Sequence, residues 1–509
     1  MSSRTKNTQR NIIWGMVNKV VILVVPFIIR TIIIKALGAD YLGLTSLFTS
    51  ILQVLNLTEL GFSSAVVFCM YKPIAEKDTD TICALMNMFR KVYRIIGVVI
   101  LIVGVLISLF LSKLISGTWP AEINIYILYY IYLANTVVSY LLFAYKSALL
   151  TAHQRSDIDV NITTVTFFIQ YLAQIIAIAV FKNFYIYAIL YVVFTTIGNI
   201  VRAIIANRMF PQYVCRGNLT DLQKADIKKR VIGAFIQKIC ATTRNSFDSI
   251  FLSAFLGLTT ITIYGNYYYI LSAVHGILTV IITALTASVG DSIARESVEK
   301  NLYDMKKFTF MYAWISGWCT VCMLCLYQPF MEIWVGKDLM FPFQTVIIYC
   351  VYFYSLTVGD VRSVYTTGSG LWWEGRYRSI AETVANIILN WTLGKYFGVN
   401  GIIVATIISI LVINFLWGTQ ILFKYYFKEK NPVIFYLEHV LYAVVVVVVC
   451  FISFNVCKIV NFKGIGGLIT KAIIITIVSN LIFLVCYFKK NYFKDSKILI
   501  NQLMKRGIN

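Results

Sequence analysis

"VNITTVTFFIQYLAQIIAIAVFKNFYIYAILYVVFTTIGNIVRAIIA" runs from Val160 to Ala206. It holds two long apolar runs that meet at Lys182-Asn183. About twenty apolar residues at ~1.5 Å each cover the ~30 Å of a bilayer's hydrocarbon. A break of one lysine and one asparagine leaves room for a tight turn and nothing more. The stretch therefore predicts two helices that cross a membrane in opposite directions.

Apolar windows of the same kind recur on both sides of it. Fourteen can be placed, at 12–34, 43–68, 92–112, 123–145, 160–181, 184–206, 231–256, 261–287, 308–330, 344–367, 378–396, 400–423, 434–457 and 466–488. The chain is 59% hydrophobic and 13% charged, with seven prolines in 509 residues. This is the composition of an all-α, polytopic membrane protein of about fourteen spans. A string of soluble domains is excluded.

The net charge of +22 could point to nucleic acid. Its distribution says otherwise. With the N-terminus inside, the inner segments hold about 31 lysines and arginines and the outer loops about eight. That asymmetry sets orientation, with both termini cytoplasmic, and no nucleic-acid partner is expected. Arg4, Lys6 and Arg10 precede an apolar stretch too long for a signal-peptide core, so it is read as the first span.

The longest inner connection, 207–230, follows span six. It divides the chain into an N-lobe (1–206), the connection itself, a C-lobe (231–424) and a final segment (425–509) with two spans and a basic tail. Asn18-Lys19 precedes Leu37-Gly38, and Gln237-Lys238 precedes Leu256-Gly257, each at 19 residues. This spacing pairs span seven with span one as parallel repeats.

Chemistry in such a chain is sought where charge lies inside a span. Each charge there costs at least about 2.5–3.5 kcal/mol, so it faces a bundle interior or a wet cavity. Lys19 and Arg30 lie in span one, Glu59 in span two, and Lys238, Arg244 and Asp248 in span seven. Gln237, Arg244 and Asp248 fall on one helical stripe with Asn245 beside it. An internal Arg244–Asp248 ion pair is one reading of the stripe. The other is a cavity lining in which Arg244 grips an anion bidentately and Asp248 orients it. Lys19, Arg30 and Lys238 would add positive charge to the same chamber. Asp248, Glu59, Asp360, Arg362 and Glu382 are read as coupling or gating groups, held in ion pairs or titrating with protons. Tyr267 and Tyr268, in "NYYYI" from Asn266 to Ile270, are either interfacial anchors or a platform for sugar rings.

Catalytic patterns are missing. The sequence has no GxxxxGK[ST] loop, HExxH or GxSxG motif. Its eleven cysteines lie mostly in apolar runs and its three histidines are scattered. Neither a cofactor nor a metal is expected, and the chain is not read as an enzyme.

The opening from Asn11 to Val66, "NIIWGMVNKVVILVVPFIIRTIIIKALGADYLGLTSLFTSILQVLNLTELGFSSAV", resembles the start of Wzx-type polysaccharide flippases. These belong to the MATE-like (multidrug/oligosaccharidyl-lipid/polysaccharide) superfamily. The resemblance rests on "LGADYLGL" after span one, "LTELGFSSA" ending span two and "EIWVGKDLMFP" from Glu332 to Pro342. It implies two six-helix lobes around a central cavity, with spans 13 and 14 appended. It also implies alternating access that carries undecaprenyl-diphosphate-linked oligosaccharide from the inner to the outer leaflet of a bacterial plasma membrane. The implied partners are that lipid-linked substrate, membrane lipids, and polysaccharide polymerase and other assembly proteins. The alternative on the same fold is a cation-coupled drug or metabolite antiporter.

Overall fold

The computed structural model describes residues 24–56, 67, 69–70, 73–74, 76–143, 145–153, 155–221, 246–371, 373–428, 430–459, 462 and 464–496. Lys19, Glu59, Gln237, Lys238, Arg244 and Asn245 lie outside the described residues. Helices account for nearly all of the structure, and no strand occurs among the described residues. Among the described residues, eight helices are long and apolar enough to cross a membrane, and a bent pair makes a ninth. The chain forms two compact units, Met1–Thr262 and Ile263–Asn509.

The first unit contains α1 (24–36), α2 (Ala39–Leu55), α3 (Thr79–Ser108), α4 (Ile125–Leu141), α5 (Lys146–Ala152), α6 (Ser156–Ala179), α7 (Phe184–Met209) and α8 (Ser246–Leu256). The turn between α6 and α7 is the one the Lys182-Asn183 break demands. Lys182 adopts a left-handed φ of 48°. Asn183 then caps α7, its Oδ1 accepting from the amides of Tyr185 at 2.9 Å and Ile186 at 3.1 Å. Asn124 caps α4 in the same way, accepting from Tyr126 and Ile127.

Small residues let α2 approach the start of α9 (Leu258–Arg295). A Cβ on Gly43 would overlap the Leu258 carbonyl oxygen and sit 2.9 Å from the Leu258 Cβ. Two hydrogen bonds fasten the contact: Thr259 Oγ1 donates to Asp40 Oδ1 at 2.6 Å and Thr262 Oγ1 to the Ala39 carbonyl at 2.6 Å. The "LGADYLGL" segment is thus a helix crossing, with Gly43 at its point of closest approach.

After α7 the chain folds back as a strap over the start of α3 and the end of α5. His153 packs its ring on Phe210, centroids 4.2 Å apart, and on Tyr213 at 5.4 Å. Its Nδ1 contacts the Leu149 carbonyl at 3.0 Å. Burial holds this imidazole below its usual range. The unfolded chain therefore takes up a proton near pH 6.5, before the folded one does. The stability contributed is complete above that pH and is lost as the pH falls below it. Melting temperatures recorded from about pH 8 to about pH 5.5 should decline on the acid side. His153→Phe, which keeps the ring contacts, should flatten that decline.

The second unit holds the remainder of α9, α10 (Val298–Val335), α11 (Phe343–Val358), α12 (Asp360–Gly368), α13 (Arg376–Ile408), a π-helix (Ser409–Trp417), α14 (Gly418–Tyr425), α15 (Val433–Ile459) and α16 (Gly464–Tyr487). Within α13 the chain turns at Gly398, whose φ of 58° marks where windows eleven and twelve separate. The last two helices pack on α10. Gly317 lets Val446 and Phe483 close in, and Trp314 Nε1 donates to Asn480 Oδ1 at 2.9 Å. Their other faces are bare: Phe451 is 71% exposed and Val485 68%. Aliphatic surface on this scale is covered by lipid chains.

Candidate functional site

Charged and polar side chains in the second unit converge where α11 breaks into α12. Gly359 separates the two helices, and Asp360 opens the first turn of α12. Its Oδ2 accepts from Tyr312 Oη at 2.6 Å and lies 3.1 Å from His275 Nε2. Three helices, α9, α10 and α12, thus share one carboxylate. His275 and Asp360 are partly accessible, and Tyr312 is buried.

Two residues on, Arg362 is 3% exposed. Its Nη1 donates to the Asn414 carbonyl at 2.7 Å and its Nη2 to Asn414 Oδ1 at 2.8 Å. Asn414 sits in the π-helix, and its carbonyl oxygen also accepts from the Gly418 amide. The Asn414 amide then donates to Glu382 Oε2 at 2.8 Å, and Arg378 Nη1 reaches the same oxygen at 3.1 Å. Glu382 therefore neutralises Arg378 directly and Arg362 through Asn414. Deeper in the bundle, Asn386 Nδ2 donates to Thr406 Oγ1 at 3.1 Å, and Asn390 donates to Asn386. These three residues are fully buried.

Asp360 and Arg362 stand two apart in the sequence. The structure gives them different partners, because successive residues on a helix point about 100° apart. His275, Tyr312, Arg378 and Asn414 were missed by sequence reasoning. The one available signal was polar side chains recurring in apolar windows.

The remaining candidates divide. Tyr267 is fully buried, its hydroxyl donating to Gln328 Oε1 at 3.0 Å and its ring 5.2 Å from both Tyr327 and Phe341. It packs the core of the unit, with no face open to a sugar or to the interface. Tyr268 is half-buried and stacks on Tyr264 at 6.0 Å. Asp248, on α8, is fully buried. Arg30, on α1, is half-buried within electrostatic reach of the Tyr191 hydroxyl. Tyr191 belongs to a polar cluster in the first unit, with the Tyr187 hydroxyl 3.0 Å away and Gln174 donating to the Tyr187 carbonyl at 3.1 Å. Also in that unit, Arg202 is held by Asp159 and by Asn199 Oδ1 at 2.6 Å.

The second unit also contains an apolar groove of about 760 Å³. Its walls come from α10, α11, the π-helix and α15, with Ile347, Cys350, Phe415, Val447 and Phe451 among them. Along α15 it extends from Tyr436 to Lys458. Those 22 residue-to-residue steps rise about 33 Å, the depth of the hydrocarbon. At one end Phe343 stacks on Phe454 at 4.9 Å, and the Lys458 ammonium lies 4.7 Å from the Phe454 ring. Val447, at 67% exposure, opens the groove's wall to the surrounding lipid.

No protein-family model matches the chain, and no curated protein matches it in sequence. Solved structures do. A lipid II flippase MurJ in an inward closed conformation superposes with a TM-score of 0.67 at 13% identity, covering 94% of this chain and 99% of that one. An inward-facing multidrug resistance MATE transporter of the MOP superfamily gives 0.60 at 17% identity, covering 77% and 92%. A Vibrio cholerae MATE transporter gives 0.57 at 13% identity, covering 85% and 99%. With its apolar helices, lipid-facing surfaces and buried polar centres, the chain has the polytopic helical fold shared by these membrane transporters.

Proposed function

We propose that the protein is a flippase that moves an undecaprenyl-diphosphate-linked oligosaccharide from the inner to the outer leaflet of a bacterial plasma membrane. The observation that carries this reading is the groove along α15. It is apolar, runs the depth of the hydrocarbon and opens sideways to lipid, so it suits a long isoprenoid chain better than a compact drug. The fold likeness to a lipid II flippase supports the same choice. The inside-positive loops orient the chain with both ends in the cytoplasm.

In this mechanism the lipid tail stays in hydrocarbon while the headgroup crosses through a polar passage. An unpaired sugar hydroxyl in hydrocarbon costs several kcal/mol, and a lined passage avoids that cost. Arg244, with Lys19, Arg30, Lys238, Gln237 and Asn245, binds the diphosphate. The two lobes rock to expose it alternately, and no chemical step is needed. A membrane negative inside helps an anion outward by about 2.3 kcal/mol per charge per 100 mV. The decisive experiment is Arg244→Glu in a strain lacking the native gene. Lipid-linked oligosaccharide should accumulate on the inner leaflet while the variant is present in the membrane at normal level. Normal export by that variant would overturn the assignment.

A second reading is favoured by one observation, the Asp360–His275–Tyr312 cluster. A carboxylate and an imidazole 3.1 Å apart can exchange a proton. This suits a cation-coupled antiporter. Proteoliposomes separate the two readings: an antiporter shows substrate-driven proton flux that Asp360→Asn removes, and a flippase shows translocation of labelled lipid-linked oligosaccharide.

A further inference from the structure

The strap of the first unit covers a cluster of cations that the transport reading does not use. Lys146, at the start of α5, is only 6% exposed. Arg90 and Arg94 are one turn apart on α3, the first half-buried and the second exposed. The charge on Arg90 reaches Lys146, and those of Arg90 and Arg94 both reach the adjacent Tyr145. The other ionisable groups whose fields reach Lys146 are the thiols Cys83 and Cys215, both free. Among the described residues, no carboxylate lies within ion-pair distance of Lys146, Arg90 or Arg94. The nearby Arg216–Asp80 pair is exposed and self-satisfied at 3.7 Å.

The surroundings are built. Asn87 Nδ2 donates to the Gly217 carbonyl at 2.8 Å, and Cys83 Sγ lies 3.7 Å from the Gln212 carbonyl. These contacts pin the strap to α3. Asn87 Oδ1 also accepts from Arg90 Nη2 at 3.1 Å and so fixes the guanidinium. Arg90 Nε remains buried with no acceptor. An unsatisfied buried donor beside a buried lysine is costly unless an anion is supplied. Arg94 is followed by Ile95, which is 62% exposed, so the cluster grades from protein interior to lipid-facing surface. It lies at the end of α3 where the loop charges assign the inner leaflet.

We propose that Lys146, Arg90 and Arg94 form a binding site for a phosphoryl group at the inner membrane surface. The guanidinium of Arg90 supplies the open Nε–H, Lys146 a point charge from beneath, and Arg94 closes the site on the lipid side. The ligand is a phosphomonoester lipid headgroup or a soluble phosphate, and the site stands whether or not the chain moves lipid. Two arms separate the sources. In phosphatidylcholine nanodiscs, inorganic pyrophosphate is titrated against the full chain and binding is read by melting temperature. In nanodiscs doped with phosphatidic acid and free of pyrophosphate, native mass spectrometry counts retained lipid. Arg90→Gln and Lys146→Gln should each weaken binding tenfold or more in the responding arm. Lys91→Gln, exposed beside the cluster, should leave it unchanged, and ligand-free melting shows that each variant folds. A response in the second arm alone assigns a lipid headgroup, and one in the first alone assigns soluble phosphate. No response in either arm, or one insensitive to Arg90→Gln and Lys146→Gln, overturns the site.

Discussion

Glu382→Ala is expected to unfold the second unit at a much lower temperature than the parent chain. Glu382 is 6% exposed and is the carboxylate on which Arg378 and, through Asn414, Arg362 depend. Removing one partner of a buried ionic group leaves the other charge uncompensated, at a cost of about 3–5 kcal/mol. Here the remaining charge is doubled: Arg362 lies in the interior and Arg378 beside it. Glu382→Gln keeps the acceptor oxygen for the Asn414 amide but removes the negative charge. It should therefore fall between the parent and Glu382→Ala. Melting curves of the three proteins in one detergent give the order. Equal melting temperatures for the parent and Glu382→Ala would show that Arg362 and Arg378 find their charge balance elsewhere.

The second large effect is expected at Gly43. Leucine there drives its Cβ into the backbone carbonyl of Leu258, an atom that no side-chain rotation can move aside. The helices must separate, and the Thr259–Asp40 and Thr262–Ala39 hydrogen bonds separate with them. Overpacking costs about 1–3 kcal/mol and each lost hydrogen bond a further ~1 kcal/mol. Together these should prevent Gly43→Leu from accumulating as folded protein, and Gly43→Ala should show a smaller defect of the same kind. Gly276→Ala is the control, since nothing lies within 4 Å of a Cβ at that position. Size-exclusion profiles of the fluorescently tagged proteins report all three. A monodisperse Gly43→Leu peak at parental yield would contradict the close helix approach.

The opening pair of runs shows what the sequence makes legible. Lys182 and Asn183 announced a turn, and the structure supplies the left-handed lysine and the asparagine cap that make it. Apolar windows work in this way because each span must satisfy its own backbone in lipid, so local composition decides the outcome. The polar centres follow a different rule. His275 and Asp360 are 85 residues apart, and Arg362 and Asn414 are 52 apart. Their pairing depends on helix rotation and packing, which a single sequence does not encode locally. The π-helix was equally invisible, because Ser409–Trp417 has the same apolar content whichever ladder its amides adopt. The groove was hidden for a related reason: its walls are ordinary aliphatic and aromatic residues drawn from four helices.

That π-helix leaves the chain open to a one-step change. Its looser winding stores surplus backbone relative to a regular helix of the same rise. Losing one codon between Ser409 and Asn414 would let the segment tighten into ordinary winding without breaking the span. Asn414 would then swing by about 100° and abandon both Arg362 and Glu382. A lineage carrying this fold could thus shed or regain its interior clasp by a single indel, a mutational route that point substitution alone does not provide.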